Sequence, residues 1–253
     1  MIRITSLLAL LGALFVSAQA SAQNNTAMEI GTGVDYSTGR YGAASDTSVI
    51  SVPLELKFQF DRIRLQASIP YLRVQGPGSF VGGIIVPGSS GNSTHSGLGD
   101  VNLGATWMIN QDTPSLPAFE LGAIVKVPTA SSGLGTGKAD YTAVLNTYHS
   151  FNPQFMLFGS VGYQWLSDFG TVNLENGVVA SAGMNFKPSQ TTSIGFAANY
   201  HQEYFKGLGD QFTVSPYALW NFASNWRLVG YGTAGFTTAS PKWGAGMRLV
   251  FFE

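Results

Sequence analysis

The chain contains no cysteine, and only 11% of its 253 residues are charged, less than half of the roughly 25% usual in a soluble domain. The missing cysteines exclude disulfide staples and thiolate metal sites. So little charge argues against a conventional cytosolic enzyme, while 45% apolar residues exclude charge-driven disorder. A formal net charge of −1 gives no electrostatic reason to expect nucleic acid as a partner. Long apolar runs are also missing. Beyond residue 22 none approaches the roughly 20 residues that a spanning helix needs, which excludes an inner-membrane helical protein. There are three histidines, His95, His149 and His201, none paired at metal-binding spacing, so neither a metal nor a cofactor is expected.

The N-terminus has the form of an export leader. Arg3 supplies the positive charge, Leu7 to Val16 the short apolar run, and Ala20-Ser21-Ala22 the small-residue cleavage pattern. The expected organisation is a cleaved signal peptide at 1–22 followed by one domain at 23–253. Cleavage removes Arg3 alone from the 13 basic residues and none of the 14 acidic ones, leaving a net charge of −2.

What remains is alternation. In Thr191 to His201, Ile194, Phe196, Ala198 and Tyr200 share one face, while Ser193, Gly195, Ala197, Asn199 and His201 share the other. Twelve segments show this period, near residues 27–37, 48–60, 62–74, 99–110, 117–129, 140–151, 154–167, 175–187, 191–203, 211–222, 225–237 and 241–252. An even count suits an all-β, transmembrane antiparallel up-and-down β-barrel of about 12 strands. Tight links at Asp61, Asn152-Pro153, Lys187-Pro188-Ser189 and Ala223-Ser224 alternate with longer ones, apart from a longish turn at 111–116 and a short last loop at 238–240. This rhythm predicts a bacterial outer-membrane location, with short turns and both termini on the periplasmic side. Phe60, Phe151, Phe186, Phe222 and Phe251 stand at strand ends facing those turns, as an interfacial girdle would. A lipocalin-like barrel is the soluble alternative, but it puts its oily face inside and needs only eight strands.

The other face carries charge. From 48–60, Glu55 and Lys57 point inward; Arg64 and Gln66, Glu120 and Lys126, and Arg248 follow from later segments, with Glu29 and Asp35 from the first. Exposing each Lys or Arg to lipid at the midplane would cost about 2–4 kcal/mol, so this register is strongly preferred. Two roles stay open: ion pairs that brace the wall, or charges that line a solute path. Inward glycines, including Gly31, Gly33, Gly104, Gly122, Gly162, Gly183, Gly195, Gly244 and Gly246, predict a less crowded interior than the strand count implies. The longest loop, Gln75 to Leu98, contains Phe80, Ile84 and Ile85. It is read either as a hydrophobic entrance at the barrel mouth or as a hairpin packed on neighbouring loops.

Ser96-Gly97-Leu98-Gly99-Asp100-Val101, then Lys126-Val127-Pro128-Thr129 and Gly133-Leu134-Gly135-Thr136-Gly137, resemble the outer-membrane family named for the meta-pathway of phenol degradation. Ile69-Pro70-Tyr71 and Ser215-Pro216-Tyr217 fit it too. Ala130 stands where the family tends to have glycine. The resemblance implies a β-barrel moving aromatic or other hydrophobic compounds across the outer membrane. The last strand, with Gly246, Leu249 and Phe251, looks like the signal read by the barrel-assembly machinery, although Glu253 extends past the aromatic end. The expected partners are therefore outer-membrane lipid, that machinery and a small solute.

Gly133 to Gly137 does not open a helix and lacks a Gly-Lys-Ser/Thr ending, so it reads as an outer loop and not a phosphate cradle. Asp100 is expected to cap a tight turn. His149 and Ser150 face opposite ways and cannot share a proton; His201 faces inward, within reach of Asp210 or Glu203. The reading is thus a passive channel and not an enzyme. A structural or surface-interaction barrel with a closed lumen is the first alternative, and an outer-membrane lipid hydrolase using His95 and Ser96 is the second.

Overall fold

The computed structural model describes residues 5–6, 26–43, 45–81, 84–87, 93–168, 170 and 173–253. The expected leader lies almost wholly outside the described residues. The barrel strands are β1 (Thr26–Gly39), β2 (Thr47–Phe60), β3 (Ile63–Gly76), β4 in two segments (Ser93–Leu98 and Val101–Asn110) and β5 (Ala118–Val127). They continue through β6 (Asp140–Asn152), β7 (Phe155–Trp165), β8 (Gly177–Phe186), β9 (Thr192–His201), β10 (Gln211–Ala223), β11 (Trp226–Gly235) and β12 (Trp243–Phe252). Each strand pairs antiparallel with the next, and β12 returns to β1 from Trp243 opposite Thr38 to Phe252 opposite Glu29. Counting interrupted β4 once, the chain is a closed twelve-stranded antiparallel barrel. Closure leaves no sheet edge, which suits a wall that cannot hydrogen-bond to water.

The two-residue period decides which side of the wall is oily. In β2, Ile50, Val52, Leu54, Leu56 and Phe58 are exposed outward, whereas Ser51 between them is 5% exposed. Leu103, Trp107, Leu121, Leu145, Val161, Ile194 and Leu249 continue the outward band around the barrel. An apolar surface this continuous requires a bilayer.

Aromatic contacts fall in two belts. At the short-turn rim, Phe58 meets Phe60, Phe151 meets Phe155, Trp220 meets Phe222 and Trp226 meets Phe251. The long-loop rim has its own belt, in which Tyr36 meets Trp243, Tyr163 meets Trp165 and Phe212 meets Phe236. Amphipathic rings at both water boundaries fix the height of the barrel in a membrane.

Short turns are closed by local side chains. Asn152 Oδ1 accepts from the amides of Gln154 and Phe155, both at 2.9 Å. Asp61 takes a φ of +49°, a conformation that Asp tolerates better than most residues. The segment read as one long loop from 75 to 98 is shorter than expected. β3 runs to Gly76, a hairpin joins Gly78–Val81 to Ile84–Pro87, and Ser93–Leu98 is already strand, paired with Tyr71 to Gly76.

Candidate functional site

The inward charges meet in separate groups. Arg64 forms a two-pronged pair with Glu120, at 3.2 and 3.0 Å, while its Nε donates to Gln59 at 3.1 Å. Arg248 holds Asp35 with both terminal nitrogens, at 2.5 and 2.7 Å, and reaches Glu55 through Nε at 3.3 Å. The Tyr231 hydroxyl donates to the same Asp35 carboxylate. Glu29 sits between Lys57, at 3.5 Å, and Arg227, at 3.3 Å. Lys126 lies 2.5 Å from Asp140 and 3.7 Å from Asp100, and donates to Thr136 at 3.0 Å. Arg227 and Asp140, which the sequence reading did not single out, complete these groups. Desolvated charges persist only with such partners.

Glycine spacing works differently from the expectation of open space. Gln66 lies across Gly104, Phe158 across Gly183, Tyr217 across Gly195 and Tyr231 across Gly246, each opposite its glycine in the ladder. The room left by the missing Cβ is therefore filled, but by side chains laid flat along the wall. Tyr217 is held there by Asn185 Oδ1 at 3.2 Å. Two substitutions separate the consequences. A Cβ on Gly104 meets only side-chain atoms of Gln66, at 2.6 and 2.7 Å. Gly104→Ala should fold and swing Gln66 toward the axis, leaving the yield of folded barrel on a gel unchanged. A Cβ on Gly195 meets the Met184 carbonyl oxygen as well as Tyr217, so Gly195→Ala should reduce the yield of folded barrel on a gel.

At the long-loop rim, the segment after β5 turns into the mouth. β4 breaks at Gly99-Asp100, and the break is bridged from this segment. Asp100 Oδ1 accepts from the amides of Thr129 and Ala130, at 3.0 and 2.9 Å, and Thr129 Oγ1 accepts from Val101 at 2.9 Å. Leu98 donates to Ser131 Oγ at 3.1 Å, and Ser131 donates back to the Leu98 carbonyl at 2.8 Å. Asp100 thus caps the facing loop and not a turn of its own. Gly97 has a φ of +157°, and a Cβ there would stand 2.6 Å from Ser131 Oγ, so glycine is what lets the loop approach. Leu134 is carried onto Tyr41, Val49, Leu72 and Val74, forming a buried apolar cluster. Tyr41 donates to Ser37 at 3.1 Å, and burial pushes its phenol up to about 12. A second cluster joins Tyr204, Leu208 and Ala239.

Two histidines find partners other than nucleophiles. His201 is bonded to Gln164 at 2.7 Å and the Gln202 carbonyl at 2.5 Å, and stacks on Tyr204. Asp210 binds Tyr200 and the Glu203 amide, while Glu203 accepts from Gly207 and Gly209. The sequence placed Asp210 or Glu203 within reach of His201; Asp210 lies near enough to act on the ring electrostatically, but the hydrogen bonds of both carboxylates go elsewhere, to the Tyr200 hydroxyl and to loop amides. His149 meets Asp112 at 2.9 Å, whose other oxygen accepts from the Ser150 amide at 2.8 Å. Burial alone would raise the Asp112 carboxyl, but bonds from His149 and Ser150 outweigh it and hold it below its ordinary value. A depressed carboxyl contributes stability that is present above the unfolded value and lost as pH falls through the folded one. Asp112→Asn should therefore loosen the turn at neutral pH, and the two proteins should converge in acid-unfolding curves below about pH 4.

Phe80, Ile84 and Ile85 lie on the Gly78–Val81 and Ile84–Pro87 hairpin, with Phe80 opposite Ile85; their side chains lie outside the described residues.

No protein-family model matches the chain, and no curated protein matches it in sequence. Among solved structures, the barrel resembles the COG4313 outer membrane channel from Pseudomonas putida F1, with a TM-score of 0.68 at 14% identity over 94% of this chain and 98% of that one. It also resembles the KdgM porin, with a TM-score of 0.60 at 10% identity over 88% and 98%. The CymD monoaromatic hydrocarbon channel gives a TM-score of 0.52 at 9% identity over 91% and 88%. Likeness at these identities establishes the fold: a closed barrel of the outer-membrane kind.

Proposed function

We propose that this protein is a passive channel of the bacterial outer membrane for small hydrophobic or aromatic compounds, oriented with its short turns and termini toward the periplasm. One observation carries the reading. The inward charges named above are gathered into one pair and three triads of mixed sign, and the large neighbours of the inward glycines lie against the wall. The lumen thus presents grouped charge on one side and, apart from Asp140 at the long-loop end of β6, uncharged side chains across β6 to β10. A neutral lining suits a neutral solute, because it asks for little desolvation of charge. The resemblance to the family named for phenol degradation points the same way, and so does the name of the CymD monoaromatic hydrocarbon channel.

Liposomes carrying the protein should take up toluene-sized aromatics faster than protein-free liposomes, and take up sugars no faster. Equal rates for every solute would leave the closed structural barrel, which the apolar cluster around Leu134 at the mouth favours. Lys126→Glu places a third carboxylate beside Asp100 and Asp140. If those charges border the path, reversal potentials in planar bilayers should shift toward cation preference; an unchanged potential assigns them to bracing alone.

A further inference from the structure

The ladder sets five uncharged polar residues in one continuous row of the interior. Asn146 stands opposite Ser160, Ser160 opposite Ser181, Ser181 opposite Asn199, and Asn199 opposite Thr213. The Ser160 and Ser181 hydroxyls satisfy each other at 2.7 Å. The remaining three differ. The side-chain nitrogens of Asn146 and Asn199 and the Thr213 hydroxyl are buried with no hydrogen-bond partner among the described residues. Their residues are only 7%, 9% and 1% exposed. Buried polar atoms are nearly always paired, and an unpaired one calls for an explanation. Three on a single row, two of them on adjacent strands, point to a common one.

The surroundings narrow the chemistry. One step toward the short turns, Phe158 lies flat over Gly183; one step the other way stand Val144 and Val179. No charged side chain belongs to these three rows on β6 to β9 apart from what His201 can acquire by protonation, and His201 is engaged by Gln164 and Gln202. The Arg248 and Arg64 guanidiniums are occupied by their own carboxylates. A carboxylate solute would find no free cation on this wall, whereas a neutral acceptor oxygen would find free donors.

We propose that this row is a solute subsite for a neutral aromatic molecule bearing one hydrogen-bond-accepting oxygen, such as an aryl ketone. The oxygen is taken by the Asn199 amide and Thr213 hydroxyl, and the ring rests toward Phe158. The proposal deepens the channel reading above and rests on it.

Equilibrium dialysis of the purified, folded barrel with acetophenone, ethylbenzene and benzoate tests it. Two neutral hydrogen bonds should make acetophenone bind roughly tenfold more tightly than ethylbenzene. Asn199→Ala with Thr213→Val should erase that preference while leaving ethylbenzene unchanged. If the double variant does not fold, the near-isosteric Thr213→Val alone should reduce the preference. Equal binding of the ketone and hydrocarbon to the unaltered protein, a preference that survives in the variants, or tighter binding of benzoate would each overturn the subsite. Liposome uptake of the same solutes reads the channel separately. Binding without uptake would sink the channel and spare the subsite, whereas uptake with no ketone preference in binding would do the reverse.

Discussion

Replacing Arg248 by Met should cost roughly 3–5 kcal/mol of barrel stability, the usual consequence of stripping one partner from a buried ion pair. Arg248 is 3% exposed and is the shared cation of Asp35 and Glu55. Without it two carboxylates remain inside the wall, and the Tyr231 hydroxyl, which donates to Asp35, can satisfy only part of one. Urea titration of the protein in phospholipid vesicles measures the loss. The triple variant Asp35→Asn, Glu55→Gln, Arg248→Met, which removes all three charges together, should recover most of it. A loss below about 1 kcal/mol in the single variant would place Arg248 among weak, solvated pairs.

The second large effect belongs to the opposite face of the same wall. Leu54 is 49% exposed in the middle of β2, and Leu54→Arg should cost about 2–4 kcal/mol by setting a guanidinium against acyl chains. The same vesicle titration reads it. A more telling comparison is between media: the penalty should be large in vesicles of ordinary thickness and should shrink as shorter acyl chains bring headgroups nearer the side chain. A Leu54→Arg protein as stable as the parent in every lipid would mean that β2 does not border the bilayer.

Both results rest on a period that can be read without coordinates. All twelve segments inferred from alternation recur as strands, most with ends displaced by only one or two residues, because a wall with one oily face imposes a strict repeat of two. The exception is β4. Its outer portion, Ser93–Leu98, holds serine, threonine, histidine and glycine, and projecting beyond the oily band it carries no hydrophobic repeat to announce itself. The inward set was equally legible as a face. Its pairings were not: period fixes the side a residue points to, whereas the stagger between strands decides whom it meets. Arg64 and Glu120 come from β3 and β5, with β4 between them. The motif around Gly97 to Asp100 and the run from Thr129 to Leu134 stood out separately in the sequence. Only the fold shows them to be two halves of one contact, the strand break and the loop that fills it.

The pairing of a ring on one strand with a glycine on the next also bears on how such proteins diversify. Strand number and stagger set the diameter of the backbone cylinder, and changing either means rebuilding the whole wall. Trimming the ring of Tyr217 or Phe158, or exchanging the glycine beneath Gln66 for alanine, alters the calibre locally and leaves the greasy exterior untouched. A single frame of this kind could be retuned to wider or slimmer cargo by a few codon changes, at positions that an outside view of the barrel would never reveal.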